Sequence, residues 1–310
     1  MKPIAILQHE ATQGPGVFEE YLSSQGIAYE LITPCVKGCM SWHVGDYRGV
    51  VVLGSNHCAN EPLQWIEQEC SLLQDALAHD IPVLGHCFGA QMLARAMGAR
   101  VRRNPCPNIG WSNVWVTRQA QERLQLPREI TQFNWHYDTF EIPSGAIRSL
   151  YGTFCLNKGF LHGRNWAFQG HLEVTAQSVQ AWCDEGHEEL SQAYGPAVQS
   201  EAQILSQLPL RISALRATAV QVYGAWTQQL NRPVHVYLGG LPDVPPDVQP
   251  DPKLSVYAQP HSGQAVQFQA SLAEKTKAIL KTHQGHALPA LRARKLDAIL
   301  ISSAPFSIRR

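Results

Sequence analysis

One cysteine of this sequence stands in a setting that could make it a nucleophile. The run Gly85-His86-Cys87-Phe88-Gly89 follows a short apolar stretch and precedes an amphipathic one. Glycines on both sides permit a sharp turn from a strand into a helix, which exposes the central side chain. A helix that begins just after Cys87 provides partial positive charge and free N–H groups, and both favour a thiolate. The pattern predicts a cysteine nucleophile, with the N–H of Phe88 directed at an oxyanion.

A structural role for Cys87 is the alternative interpretation. An unpaired cysteine is most often a small buried apolar residue. The chain has eight cysteines, so two flanking glycines could arise by chance around one of them. The predicted order of strand, turn and helix favours the nucleophile.

A histidine and a carboxylate that could serve this nucleophile lie in Gln169-Gly170-His171-Leu172-Glu173. In an extended chain, side chains two residues apart point to the same side. The imidazole of His171 could then exchange protons with the nucleophile and the leaving group, while Glu173 orients the ring. In a chain with 13 histidines, the same spacing also fits a surface pair.

The segments around these residues alternate between short apolar runs and amphipathic stretches. Over the first 180 or so residues this alternation is typical of an α/β fold with a mainly parallel sheet. Strands are predicted at 4–7, 28–32, 49–53, 82–85 and near 113–117, 131–134 and 166–170, and helices at 17–25, 63–79 and 88–97.

The composition changes after about residue 185. Residues 187–230 are predicted to be helical, and their apolar residues recur at steps of three and four, as on a face that packs against the core. This stripe contains Ile212, Leu215, Ala219, Val222, Trp226 and Leu230. Five prolines between 242 and 252 then predict a semi-rigid linker.

The remaining segment, 253–310, is predicted to be a small α/β appendage. It has a strand candidate at 254–258, a helix around 269–282 and a strand at 297–302. It contains nine Lys and Arg residues but only two acidic residues, Glu274 and Asp297. Such an excess is typical of a solvated face, although it could also contact an acidic partner or a phosphate.

The nucleophile segment also carries a family resemblance. GHCFGAQ at 85–91 resembles the elbow of class I, triad-type glutamine amidotransferases, especially stand-alone domains similar to the amidotransferase part of GMP synthase. Further matching pieces are ILQH, GPG, DYRGVVVLG at 46–54, IGW at 109–111 and WHYDTF at 135–140. The resemblance spans residues 3 to about 230 and implies a flavodoxin-like, three-layer fold. We therefore expect a glutaminase domain at 1–185, a helical extension at 186–231, a linker at 232–252 and a C-terminal segment at 253–310.

The resemblance implies a role for several further residues. It makes Cys87, His171 and Glu173 a catalytic triad, and it places a second oxyanion N–H in the turn at Gly54 and Ser55. Two residues next to His171 differ from the family pattern. Gly170 stands where an aromatic residue is usual, and Leu172 stands where proline is usual. Ser55 likewise occupies the place of a common second glycine, and it can serve because the backbone supplies the N–H.

Glutamine-binding residues are implied in the same way. Gln91, one helical turn after the nucleophile, resembles a residue that contacts the substrate. Asn134, Trp135 and His136 resemble the loop that holds the α-carboxylate and amine of glutamine. As an exposed helical glutamine, Gln91 would need no such role, and structural packing explains Trp135 equally well.

Composition excludes several other classes of protein. With 25 basic and 25 acidic residues, no net charge favours nucleic acid or an anionic membrane. No apolar run approaches a membrane span, and the N-terminus lacks the apolar stretch of a signal peptide, so we expect a cytoplasmic protein with reduced thiols. Cys35, Cys39, His43, His57 and Cys58 do not have the paired spacing of a zinc site. We predict no metal and no cofactor.

The sequence thus predicts a glutamine amidotransferase that hydrolyses the side-chain amide of L-glutamine through a thioester on Cys87. It contains no Gly-rich phosphate loop of the G-x4-G-K-[ST] kind, so we expect the ammonia acceptor to be a synthase on another chain, unless the segment 253–310 is part of it. A γ-glutamyl hydrolase or peptidase with the same triad is the alternative. A non-catalytic regulatory protein of the same fold is a further one.

Overall fold

A nine-stranded sheet organises the part of the chain that the computed structural model describes, residues 1–34 and 43–231. Its strands are β1 (Ile4–Leu7), β2 (Tyr29–Ile32), β3 (Gly49–Val52), β4 (Val83–His86), β5 (Val101–Val116), β6 (Glu129–Phe140), β7 (Ile147–Tyr151), β8 (Gly159–His162) and β9 (Asn165–Phe168). The helices are α1 (Gly16–Ser24), α2 (Gln64–Ala78), α3 (Phe88–Ala96), α4 (Arg118–Leu124), α5 (Ala176–Glu185), α6 (His187–Gln192) and α7 (Glu201–Thr227).

The sheet is parallel in one half and antiparallel in the other. Its strand order is β2-β1-β3-β4-β9-β8-β7-β5-β6. The strands from β2 to β9 pair in parallel, and the remaining pairs are antiparallel. The predicted parallel sheet corresponds to the first half. The antiparallel half is larger than the sequence pattern indicates, since the segments predicted near 113–117 and 131–134 are parts of the long strands β5 and β6.

Helices cover both faces of the parallel half. Ile4 and Ile6 of β1 point into a core cluster with α1, α5 and α7. Ala5 and Leu7 point to the opposite face, where they join the buried residues of α2 and α3. This alternation in a strand that is buried throughout is the pattern of a doubly covered sheet. The three-layer α/β fold predicted from the sequence is confirmed.

The predicted helical extension consists of two helices. A break at residues 193–200 separates α6 from α7. Ser200 caps α7, because its hydroxyl accepts from the N–H of Gln203 while the Gln203 side chain accepts from the N–H of Ser200. The predicted apolar stripe of α7 packs into the core, where Leu215, Ala219 and Trp226 are fully buried.

The described residues belong to one unit, Met1–Val234. The predicted linker at 232–252 and C-terminal segment at 253–310 lie outside the described residues, and so do Cys35 and Cys39. Their assignments stay predictions, as do the boundaries proposed at 185 and 231.

The close packing of the elbow against its neighbouring strand generates a prediction. A Cβ added to Gly89 would lie 2.1 Å from the carbonyl oxygen of Val52, so the Gly89→Ala variant must push α3 away from β3. We expect a loss of about 1–3 kcal/mol in the free energy of unfolding, as for other overpacked sites. Urea unfolding followed by circular dichroism measures it. Gly45→Ala is the control, because its Cβ would meet nothing within 4 Å. Equal stability of the two variants would contradict the packing described.

Candidate active site

The turn at Cys87 forms the predicted elbow. Cys87 follows β4 directly and precedes α3, and its φ of 50° lies in a region that non-glycine residues rarely occupy. Its N–H donates to the carbonyl of Phe168 on β9 at 2.9 Å, which holds the turn against the neighbouring strand. Strain of this kind persists only where the surroundings impose it, and it is common at functional sites.

His171 and Glu173 follow β9, beside the elbow. Nδ1 of His171 lies 2.6 Å from Oε1 of Glu173, and both side chains are buried. Because the carboxylate oxygen can only accept, Nδ1 carries a proton and donates it. The imidazole also interacts electrostatically with the side chain of Cys87, and both residues line the same cavity. The structure therefore brings the three predicted triad residues together.

Charge–charge interactions dominate the titration of this cluster. Burial lowers the pKa of His171, but the charges of Glu173 and then Cys87 raise it by more, to about 10. Burial acts to raise the pKa of Glu173, yet the cationic His171 keeps it below its ordinary value. The geometry thus favours an imidazolium between a carboxylate and the sulfur of Cys87.

The two departures from the family pattern beside His171 have a packing explanation. A Cβ at Gly170 would lie 2.7 Å from the side-chain amide of Gln132, so the space for a side chain at 170 is already filled by Gln132. Leu172 is fully buried in the core. His171 still pairs with the long antiparallel strand, through its N–H and the carbonyl of Phe133 at 2.8 Å.

Two backbone N–H groups are available to an oxyanion. Those of Phe88 and Ser55 have no acceptor among the described residues, and both residues line the cavity that contains Cys87. Gly54 lies directly against the imidazole, since a Cβ on it would be 3.0 Å from Cε1 of His171. The predicted oxyanion residues are therefore adjacent to the triad.

A cavity of about 370 Å³ opens over the sulfur of Cys87. Three of the predicted substrate residues, Gln91, Trp135 and His136, line it. The amide of Gln91 is engaged inside the protein, donating to the carbonyl of Asp138 and to Gln169 at 3.3 Å.

Asn134 is not brought to the cavity wall. Its fully buried amide donates to the carbonyl of Gly110 and to the hydroxyl of Ser112. Its oxygen accepts from Nζ of Lys158 at 2.6 Å. The side chain therefore ties strands together inside the protein, whereas the neighbouring Trp135 reaches the cavity.

His136 is held in its neutral form. Nδ1 donates to the carbonyl of Asp138 at 2.9 Å, so Nε2 is left to accept from Lys158, also at 2.9 Å. Burial, and then the charge of Lys158, lowers the pKa of His136 well below its usual value. Burial in turn lowers the pKa of Lys158 to about 8. A histidine fixed in this way is a poor candidate for a base.

Several residues of the site have a weak sequence signal or none. Gln169 donates to the sulfur of Cys87 at 3.8 Å, and its only signal in the sequence is its place in the histidine motif. Lys158 lies in a segment without a recognised motif. Two carboxylates on the cavity wall, those of Glu185 and Glu189, also lie outside any recognised motif.

The cysteines and histidines near the start of the chain could serve as metal ligands by residue type, but His57 and Cys58 have other partners. In residues 1–34 and 43–231, no group of three His, Cys, Asp or Glu side chains is arranged to hold a metal ion. His57 instead pairs with Glu61, and Cys58 donates to Asp138. Within the same ranges, no helix is long and apolar enough to span a membrane.

The protein thus has a three-layer α/β fold, a cysteine at a strand–helix elbow and a His–Glu pair beside it. This combination is typical of a class of amidotransferase. Comparison with known proteins identifies the family. The sequence profile described as "Glutamine amidotransferase class-I" matches residues 22–181. This chain belongs to that family, and the resemblance stated from its motifs is confirmed.

Individual relatives agree with this assignment. A solved glutamine amidotransferase from Methylobacillus flagellatus is 36% identical, with a TM-score of 0.72, over 76% of this chain and 98% of that one. One component of the glutamine-hydrolysing GMP synthase from Thermoplasma acidophilum is 30% identical over 41% of this chain. Gamma-glutamyl peptidase 4 of Arabidopsis thaliana is 29% identical over 41% of it. The matches span 63% and 54% of these two relatives' own lengths.

The ionisation of His171 can be measured directly. Because its folded pKa is raised from 6.5 to about 10, the imidazolium should persist as the pH rises above 6.5 and disappear only near the higher value. Nitrogen NMR of ring-labelled histidines follows this titration, and His171→Gln assigns the signal. Glu173→Gln should lower the midpoint, since Glu173 is the strongest cause of the increase. A His171 signal that titrates at or below 6.5 would contradict the electrostatics described.

Proposed function

We propose that this protein hydrolyses the side-chain amide of glutamine, with Cys87 as nucleophile, His171 as acid–base catalyst and Glu173 as its orienting carboxylate. The observation that carries the proposal is the buried Glu173–His171 hydrogen bond next to Cys87 in the lining of one cavity. Phe88 and Ser55 also line this cavity, and their N–H groups have no acceptor among the described residues. Nucleophile, base, orienting group and oxyanion donors are the parts that acyl transfer requires.

In the first half of the reaction, the thiolate of Cys87 attacks the amide carbon of glutamine. The carbonyl oxygen becomes an oxyanion, which the N–H groups of Phe88 and Ser55 stabilise. The imidazolium of His171 gives its proton to the amide nitrogen. The carbon–nitrogen bond then breaks, ammonia leaves, and a γ-glutamyl thioester remains on Cys87.

In the second half, neutral His171 removes a proton from water, and the resulting hydroxide attacks the thioester carbon. The same N–H groups stabilise the second oxyanion. The carbon–sulfur bond breaks, glutamate leaves, and the thiolate and imidazolium are restored. Glu173 remains ionised throughout and stabilises the positive ring.

The ammonia would pass to a synthase on another chain. The Thermoplasma relative is named as one subunit of a glutamine-hydrolysing synthase, which supports this division of labour. Residues 1–34 and 43–231 form the amidotransferase fold.

A γ-glutamyl peptidase is the second candidate, and the cavity favours it in one respect. The residues that line the cavity with Cys87 include exposed ones, among them His57 and Glu189. Space of this kind could accept a leaving group larger than ammonia. Gamma-glutamyl peptidase 4 is also among the relatives. Glutamate release from glutamine and from a γ-glutamyl dipeptide separates the two functions, because a peptidase turns over the dipeptide faster.

The identity of the nucleophile can be tested by covalent labelling. A diazo-ketone analogue of glutamine should add one label per chain, on Cys87, because its sulfur lies in the cavity beside His171. Peptide mass mapping locates the label. Cys58→Ala is the control, since Cys58 also lines the cavity but contacts no triad residue among the described hydrogen bonds. Labelling that Cys58→Ala removes and Cys87→Ala leaves would overturn the assignment.

The triad members should differ in their effects on glutamate release. Cys87→Ala removes the atom that forms the thioester, so activity should vanish. His171→Ala should cost nearly as much, because the residues act as a unit. Glu173→Gln should keep measurable activity, since the amide can still contact Nδ1 but no longer stabilises the cation. His162→Ala is a matched control outside the cavity lining. Full activity of His171→Ala would place the base elsewhere.

A further inference from the structure

A buried ion pair outside the triad, His9 and Glu69, contacts the turn at Gly54 and Ser55. His9, just after β1, lies between that turn and α2 and is only 6% exposed. Its Nε2 is 2.8 Å from Oε2 of Glu69, which is fully buried in α2. Its Nδ1 is 3.0 Å from the carbonyl oxygen of Gly54. One ring therefore connects a helix on the outer layer with the backbone beside His171.

The two contacts require both ring nitrogens to donate. A carbonyl oxygen and a carboxylate oxygen can only accept, so His9 carries a proton on each nitrogen. Burial lowers the pKa of His9, but the charge and hydrogen bond of Glu69 and the hydrogen bond to Gly54 raise it, and the net result lies above the ordinary value. Glu10, the next residue, contributes in the same direction. His9 is thus a cation that donates to the Gly54 carbonyl.

The orientation of that carbonyl determines where the following N–H points. In a planar trans peptide, the C=O of one residue and the N–H of the next point in opposite directions. A hydrogen bond that holds the Gly54 oxygen toward His9 therefore directs the N–H of Ser55 away from His9. Ser55 lines the cavity, and its N–H has no acceptor among the described residues.

The remaining contacts of His9 involve the same part of the site. Its ring packs against Phe88, the other oxyanion residue, with centroids 5.0 Å apart, and against Trp65 at 5.4 Å. Glu10 accepts from the N–H of Asn56 at 3.1 Å and from the hydroxyl of Ser55 at 3.3 Å. Residues 9 and 10 together thus fix the turn from two sides.

We propose that His9, held by Glu69, is a positioning residue whose hydrogen bond to the Gly54 carbonyl aims the N–H of Ser55 at the oxyanion. It acts through the peptide between Gly54 and Ser55 and touches no reacting atom. A free turn could rotate this peptide and present the carbonyl to the oxyanion, which would repel it. The inference rests on the proposed glutaminase activity and adds a residue pair that the triad does not include.

The decisive variant removes the donor without leaving an unpaired buried charge. His9→Phe with Glu69→Leu keeps an aromatic ring against Trp65 and Phe88, and apolar replacement of a buried pair is often tolerated. We expect kcat for glutamine to fall at least about tenfold, toward the roughly 100-fold effect of a lost oxyanion donor. KM should change by less than about threefold, because the ground-state amide makes weaker use of the hole. If this variant does not fold, Met at both positions replaces it.

A conservative variant separates the hydrogen bond from the charge. In Glu69→Gln, a neutral His9 can still donate from Nδ1 to Gly54 while Nε2 accepts from the new amide. This variant should keep kcat within about threefold of the native protein. His187→Gln, which breaks an exposed ion pair with Glu201, is the control for loss of a histidine elsewhere and should leave kcat unchanged.

Alkylation of Cys87 by iodoacetamide distinguishes this proposal from the proposed function. The reaction needs the thiolate and no oxyanion hole, so its rate in the His9→Phe/Glu69→Leu variant should stay near that of the native protein. Native-like kcat in the folded double variant would overturn the positioning role, as would a parallel loss of kcat and alkylation, or a loss in Glu69→Gln as large as in the double variant. Absence of glutaminase activity in the native protein would instead refute the function itself.

Discussion

The turn at Cys87 is the constraint on which the rest of the site depends. Its positive φ lifts the sulfur out of the sheet, and it requires a short strand, an immediate helix and room on both sides. Gly85 and Gly89 supply that room, since a Cβ on Gly85 would lie 2.5 Å from the carbonyl of Gly89, and one on Gly89 even closer to β3. The same turn exposes the N–H of Phe88 and places the sulfur where β9 ends.

Burial gives the charges of the site their strength. Glu173 and His171 are almost fully enclosed, so their attraction is poorly screened by water. His86 adds to this environment, with Nδ1 3.4 Å from Oε2 of Glu173, although burial lowers its own pKa. Water-filled surroundings would weaken each of these interactions. The packing of α7 over this face, through Tyr223 beside His86, thus contributes to the chemistry as well as to stability.

Local patterns in the sequence predict the elements that chemistry constrains most tightly. The elbow, the histidine motif and the parallel strands have short-range signals of glycine, periodicity and spacing. The antiparallel half has a weaker signal, because Pro105 and Pro107 interrupt β5 beside a register shift. Contacts between distant positions have no local signal at all. His9 hydrogen-bonds to Glu69, which is sixty residues away in the sequence. Lys158 hydrogen-bonds to Asn134 and His136, which are also distant from it in the sequence.

The central claim is that the γ-glutamyl group passes through Cys87. Rapid mixing of the protein with glutamine, acid quenching and mass spectrometry of the intact chain measure it most directly. We predict a transient adduct of one γ-glutamyl group, mapped to Cys87 and absent from Cys87→Ser. It should accumulate further in Glu173→Gln if hydrolysis of the thioester slows more than its formation. An adduct on another residue, or steady glutamate release by Cys87→Ser, would contradict this account.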